Sequence, residues 1–328
     1  MVWRPSPPSF LGALALLLGA ALLVAIHVGG VLIPWRDIWQ ILFQGPRGQG
    51  PLGDILWQIR LPRILLAAAV GAALGGAGTL FQGLFRNPMA DPYVIGVSSG
   101  AALGAALYMV VLWHTGWALG LPGLAFLGAA LTLLLVYGLS RQNGHVPVTY
   151  LLLAGVAVSS FLAALVALLV YFYPENLRSL YFWLLGSFAG ATWQRLAWAL
   201  PYIAGTLFLG HLFLVRPLNL LLAGEEQAHH LGLAVEKAKR WILLSGAFLT
   251  AVAVALSGMI GFVGLVAPHA VRLLVGPDHR RVFLGSAFLG GTFMVLADSL
   301  ARTLLSPQEL PVGIVTSLVG SPFFLYLL

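Results

Sequence analysis

Ionisable and hydroxyl side chains are sparse in this chain, and four short segments hold those whose spacing could support chemistry. Ile59-Arg60-Leu61-Pro62-Arg63 sets two arginines around a proline that suits the first turn of a helix. Such arginines either snorkel to a membrane interface or form a cationic docking patch. Arg86-Asn87-Pro88-Met89-Ala90-Asp91-Pro92-Tyr93 leads into Gly96-Val97-Ser98-Ser99-Gly100. Its prolines forbid continuous helix, and non-helical backbone at membrane depth is buried in protein or lines a water-filled path. The segment reads as a hairpin, with Asn87, Pro88, Ser98 and Ser99 as candidates for shaping a pathway. Gly96 and Gly100 equally fit a helix-packing face. A third segment carries Gly261, Gly264, Pro268 and His269. His269 could ligate or carry a proton, but a lone histidine beside proline is more often a hydrogen-bonded structural residue. In the fourth, Asp298 and Arg302 stand at i,i+4 spacing and can face each other, ahead of Leu310-Pro311-Val312-Gly313 and Gly320-Ser321-Pro322.

Several chemistries are excluded or weakened by what is missing. The zero cysteine count rules out disulfides and thiolate sites. A zinc protease would show His-Glu-x-x-His, and a nucleotide-binding loop would show a Gly-rich Lys-Ser/Thr run; neither occurs. A serine nucleophile needs a base within reach, and nothing in the sequence brings Ser98 or Ser99 to His269. An ion-driven secondary transporter, the competing reading, wants intramembrane carboxylates, and only Asp298 qualifies. Energy for transport must then come from a partner or an ion gradient.

The elements that position these residues are membrane helices. The chain is 60% hydrophobic and 8% charged over 328 residues, where soluble domains run near 25% charged. The formal charge of +7 does not indicate nucleic acid, because the bases are scattered singly between apolar runs. Apolar runs long enough to cross a bilayer fall at about 10–28, 64–85, 93–113, 117–139, 148–172, 196–215, 241–257, 258–275, 282–300 and 311–328. The first is read as a span and not as a cleavable signal. The uncharged stretch 241–271 is too long for one span and breaks at Ser257-Gly258 and Gly261. Ten spans place both termini on one side. The inner segments carry Arg4, Arg86, Arg141, Arg216, Lys237, Lys239, Arg240, Arg272, Arg280 and Arg281, a modest positive-inside bias against Arg36, Arg47, Arg60, Arg63, Arg178, Arg195 and Arg302. Two links are long. Residues 29–62 hold Trp35, Trp39 and Trp57 and suit an amphipathic segment at headgroup level. Residues 216–240 are the most charged stretch; a short helix begins there after Gly224, with Glu225 and Glu226 favoured in its first turn by the helix dipole, and Gly232 ends or kinks it. The whole chain, 1–328, is one transmembrane domain.

In this order the four segments resemble the permease family of bacterial ABC importers for siderophore-bound iron, haem and vitamin B12, over nearly the whole chain from Arg60 to Phe324. Met89 stands where leucine is more usual. The resemblance implies an all-α, type II importer bundle of ten spans, paired as a homodimer around a central path. It implies two cytoplasmic ATP-binding-cassette subunits, which hold the ATP and Mg²⁺, one external substrate-binding protein, and no cofactor on this chain. It implies an iron-siderophore, haem or cobalamin cargo and a place in the cell (inner) membrane of a bacterium or archaeon, with cytoplasmic termini. By the same resemblance Arg60, Arg63 and Arg302 meet acidic residues of the binding protein. Glu225, Glu226, Ala228, Leu231 and Gly232 lie in the helix that couples to the ATPase, and Pro147, Val148 and Thr149 lie at the inner gate.

Overall fold

A lipid-embedded backbone has no water to bond, so a spanning segment closes its hydrogen bonds within itself as helix. A computed structural model describes residues 7–46, 50–112, 120–142 and 144–327, and fifteen α-helices account for most of them, with no strand among the described residues. They are α1 (Pro7–His27), α2 (Trp35–Gln44), α3 (Gly50–Asp54), α4 (Leu61–Leu84), α5 (Val97–Leu107), α6 (Gly120–Ser140), α7 (Val148–Phe172), α8 (Leu177–Leu184), α9 (Trp193–Phe213), α10 (Val215–Leu221), α11 (Glu225–His230), α12 (Val235–Ser257), α13 (Val263–Val275), α14 (His279–Thr303) and α15 (Val312–Leu327). Seven of the helical stretches are long and apolar enough to cross a membrane, and three shorter apolar helices, at 97–111, 263–275 and 312–326, bring the set to the ten spans expected. Arg4 and Arg47 lie outside the described residues.

Two boundaries differ from the sequence expectation. The second span does not begin near residue 64. α3 runs through a π-helical turn, Ile55–Arg60, straight into α4, giving 35 helical residues from Gly50 to Leu84. That is about 52 Å at 1.5 Å per residue, so its first turns stand beyond the roughly 30 Å hydrocarbon core. The π turn falls immediately before Pro62, where the missing N–H needs a local adjustment of the ladder. The seventh span likewise starts six residues earlier, at Val235, because Glu236 at a helix N-terminus is favoured by the dipole and the charged first turns project into water. The amphipathic piece between the first two spans is α2, with Ile38 and Ile41 buried and Trp35 and Trp39 exposed.

α4 is the central helix. It packs along α14, α12 and α13, and small residues set the distance. A Cβ on Gly71 would strike the carbonyl of Gly290, one on Gly75 the carbonyl of Ser286, and one on Gly78 the carbonyl of Gly264. α5 and α6 meet the same way through Gly100, Gly104 and Gly128. In lipid no hydrophobic force drives helix against helix, so close backbone approach and dispersion carry the packing. α7 and α9 lie at the edge and expose Leu153, Phe161, Phe208 and Phe213. Gly78→Leu should therefore cost about 1–3 kcal/mol or more by overpacking, seen as a lower unfolding midpoint in detergent. Gly12→Leu, on a face with nothing within 4 Å, should leave that midpoint unchanged.

Candidate functional site

At one end of the bundle the structure gathers Arg60, Arg63 and Arg302, but not as an exposed patch. Their exposures are 3, 6 and 6%, and each guanidinium is turned inward. Arg60 donates to the carbonyls of Ile26, His27 and Val31, capping the C-terminal end of α1, where a cation complements the unsatisfied carbonyls. Arg63 binds Asp298 through a fork, Nε at 3.1 Å and a second nitrogen at 2.9 Å, and reaches Glu309 at 2.8 Å. Arg302 completes the cluster with its Nε 3.2 Å from Asp298, the i,i+4 pair expected. These three arginines, expected from the resemblance to meet the binding protein, are buried here because a buried guanidinium needs an acid or carbonyl, which the end of α1, Asp298 of α14 and Glu309 beyond α14 supply. Among the described residues, the exposed cations at this end are Arg36, Arg178 and Arg195. Trp193, two residues before Arg195, donates to the Trp57 carbonyl at 2.7 Å and fixes α9 to the same end.

Deeper in, four interruptions of helix meet. The stretch before α5 climbs into the bundle with Pro92, Ile95 and Gly96 buried. Tyr93 projects its hydroxyl to the 258–262 break, donating to the Ile260 carbonyl at 3.0 Å and accepting from the Ile260 N–H at 3.2 Å. Ser187, just past α8, donates its N–H to the Ser257 carbonyl at 2.8 Å. Val312 and Gly313 donate theirs to the carbonyls of Gly186 and Leu185, each at 3.0 Å. Pro92 lies against Gly264, and Gly313 against the Leu185 carbonyl, so neither glycine has space for a side chain. Phe262, a non-glycine residue at φ +69°, begins α13 and presses its ring onto Gly320 of α15. Pro268 is buried within α13 and Pro311 at the start of α15; Gly261 is half-buried with open space beside it. Ser98 is buried at the start of α5 and Ser99 half-buried. The Nδ1 of His269 is buried and has no hydrogen-bond partner among the described residues.

The opposite end is polar. α4 closes with a Schellman turn, Asn87 N–H to the Gln82 carbonyl and Arg86 N–H to Gly83, with Arg86 at φ +49° where glycine is usual. Asn87 and Pro88 are exposed in this turn. α11 starts after Gly224 with Glu225 and Glu226 in its first turn, as expected. It ends in a second Schellman turn, Leu233 N–H to Ala228 and Gly232 N–H to His229. Gly232 has φ +83° and open space where a side chain would stand, so backbone handedness and not crowding demands glycine. Ala228 is buried and Leu231 exposed. Asp278 caps α14 and accepts from Asn219 of α10 at 2.7 Å. Partial burial pushes its carboxyl up, but the bonds from Arg280 N–H and Asn219 and the charges of Arg280 and Arg281 hold it below the usual range.

Between α11 and the start of α7 runs a set of contacts that sequence reasoning missed. Lys239, 6% exposed, donates to Glu225 of α11 at 3.1 Å and to Glu236 at 2.9 Å. Glu236 accepts the backbone N–H of Val146 at 3.0 Å, and its other oxygen lies 3.5 Å from His145. Gln142 and His145 exchange both backbone hydrogen bonds at 2.9 Å, making a tight turn, and Pro147 caps α7 ahead of Val148 and Thr149. The i,i+3 spacing of Glu236 and Lys239 was legible; the 90-residue jump to Val146 was not.

A ten-span bundle with a broken helical centre and a short charged helix on one face narrows the class, and the match of residues 16–328 to one family model decides it. The chain belongs to the FecCD transport family. It is 44% identical over 322 residues to the cobalamin import system permease protein BtuC of Halobacterium salinarum, covering 96% of this chain and 85% of that one. It is 42% identical over 333 residues to the hemin transport system permease protein HmuU of Yersinia pestis, covering 99% and 96%. The structure resembles that of a metal-chelate type ABC transporter in an inward-facing conformation, with a TM-score of 0.84 and 36% identity over 98% of this chain and all of the other. The chain is thus a multi-pass membrane protein and a transport component. Replacing Asp298 by Ala would leave Arg63 and Arg302 buried without their shared acid, and should cost about 3–5 kcal/mol. Thermal unfolding of the purified variant tests this, and a midpoint equal to wild type would contradict it.

Proposed function

We propose that this chain is the membrane half of an importer that works as two copies, with two cytoplasmic ATP-binding-cassette subunits, which hold ATP and Mg²⁺, and one external substrate-binding protein. Cargo passes along the axis between the copies, and both termini face the cytoplasm. The observation that carries this reading is α11. A six-residue helix outside the spans, acidic at its start and capped at Gly232, is a rigid knob on an otherwise apolar protein. It suits seating in a groove of an ATPase. Glu225, Glu226, Ala228, Leu231 and Gly232 form that knob, and Pro147, Val148 and Thr149 at the start of α7 are the inner gate. Ser98 and Ser99, at the start of α5 near the broken helices, and Asn87 and Pro88, in the turn after α4, shape the pathway.

The cargo is an iron-siderophore, haem or cobalamin. Relatives of comparable similarity are named for cobalamin, hemin and, at 36% identity, iron(3+)-hydroxamate, so selectivity lies chiefly in the binding protein. A secondary transporter is disfavoured because Asp298, its one candidate carboxylate, is fully engaged by two arginines. Proteoliposomes holding this chain with its co-encoded ATPase and binding protein should accumulate one of these cargoes only when ATP and both partners are present. Uptake driven by a proton gradient without them would overturn the reading.

Docking at the far end falls to the exposed arginines, with the buried trio shaping the surface from beneath. Arg178→Glu combined with Arg195→Glu should weaken binding-protein affinity about tenfold in low salt, and less at high ionic strength because exposed pairs are screened. Unchanged affinity in low salt, measured by titration on the detergent-purified complex, would remove these residues from the interface.

A further inference from the structure

We infer that Lys239 is a positioning residue that transmits movement of the coupling helix to the gate turn. The inference rests on the importer reading above and names a part of its mechanism. Lys239 binds acids on both sides of the path: Glu225 belongs to α11, and Glu236 holds the backbone of Val146, one residue before the cap of α7. The link therefore joins the neighbouring helices α11 and α12 through one buried ammonium, and through Glu236 reaches a backbone 90 residues away. The elements it joins are held by their own backbone geometry. α11 is capped at both ends by glycines at positive φ, Gly224 and Gly232. Lys239 and Glu236 share one helix at i,i+3. Gln142 and His145, just before Val146, are joined by two backbone bonds.

Chemistry explains why a lysine is needed. An ammonium has three donors that rotate about a flexible stem, so it can hold two carboxylates while one shifts against the other. A displacement of α11 pulls Glu225, Lys239 follows within the low-dielectric pocket, and Glu236 can no longer hold both Lys239 and the Val146 N–H in place. Arg240, the next residue, donates to the Tyr137 hydroxyl at 3.1 Å and keeps α12 fixed to α6, so the change is delivered to the turn and not spread along the helix. A residue serving only helix stability would need the Glu236 contact alone; the bond to Glu225 has no part in α12.

The test is the number of cargo molecules imported per ATP hydrolysed by the reconstituted complex of this chain, its ATPase and its binding protein. Lys239→Met should lower that ratio about tenfold while the complex still assembles and hydrolyses ATP within about twofold of wild type. Lys239→Arg, which keeps the charge but loses the compact rotating head, should restore it only in part. Glu236→Gln keeps an oxygen for the Val146 N–H but loses the charge, and provides a second variant if Lys239→Met does not fold. Combined with Glu225→Gln it should do no more harm than the worse single change, because both cut one path. A wild-type ratio in Lys239→Met, or losses in the two glutamine variants that simply multiply, would overturn the relay. Failure of the wild-type complex to import anything would instead strike the importer reading itself.

Discussion

Everything in this membrane domain depends on how non-helical backbone is satisfied where no water reaches it. A helix interrupted within lipid exposes polar groups that each cost several kcal/mol if left unpaired. Here four interruptions are placed together so that each pairs with another. Ile260 is held at both backbone groups by the Tyr93 hydroxyl, and Ser187 and the Val312-Gly313 pair bond across to Ser257, Gly186 and Leu185. The glycines and prolines of the recognisable segments follow from this. Gly264 and Gly313 give room to a neighbouring ring or carbonyl, Gly186 and Gly258 take positive φ, and Pro92 enters where no N–H has to be satisfied.

Charge is used in opposite ways at the two ends. Around Asp298 the ions are locked: two acids and the carbonyls of the α1 end engage all three guanidinium groups from within the protein. Around Lys239 they are partly open, with the Glu225 side chain 41% exposed and that of Glu236 27%. The first arrangement fixes α1, α4 and α14 into a frame; the second allows exchange of partners. That division fits a device in which one end serves as a platform and the other moves.

Much of this was legible from residues. The number of spans, the break after Ser257, the helix at Glu225 and its stop at Gly232 followed from hydropathy, dipole and turn chemistry. The direction of Arg60, Arg63 and Arg302 was not legible. Arginines near a span end read the same whether they snorkel, dock or pair inward, and Arg63 meets an acid 235 residues away. The start of the second span was misplaced because Pro62 reads as a helix start, whereas the helix already runs in from Gly50 through a π turn that ends at Arg60. Lys239 was hidden for the same reason as Arg63: its i,i+3 partner was visible, but the role comes from Glu225 and Val146, which only the tertiary fold supplies.

The central claim is that α11 and the gate at the start of α7 move together under ATP. The chain has no cysteine, so a single thiol introduced as Thr149→Cys, at an exposed position, would carry the only spin label in each copy. The distance between the two labels, measured by pulsed electron resonance in the complex with the ATPase, reports the gate directly. The account predicts that this distance shifts when ATP binds and returns after hydrolysis. A distance that stays the same in every nucleotide state, in a complex that imports its cargo, would contradict it.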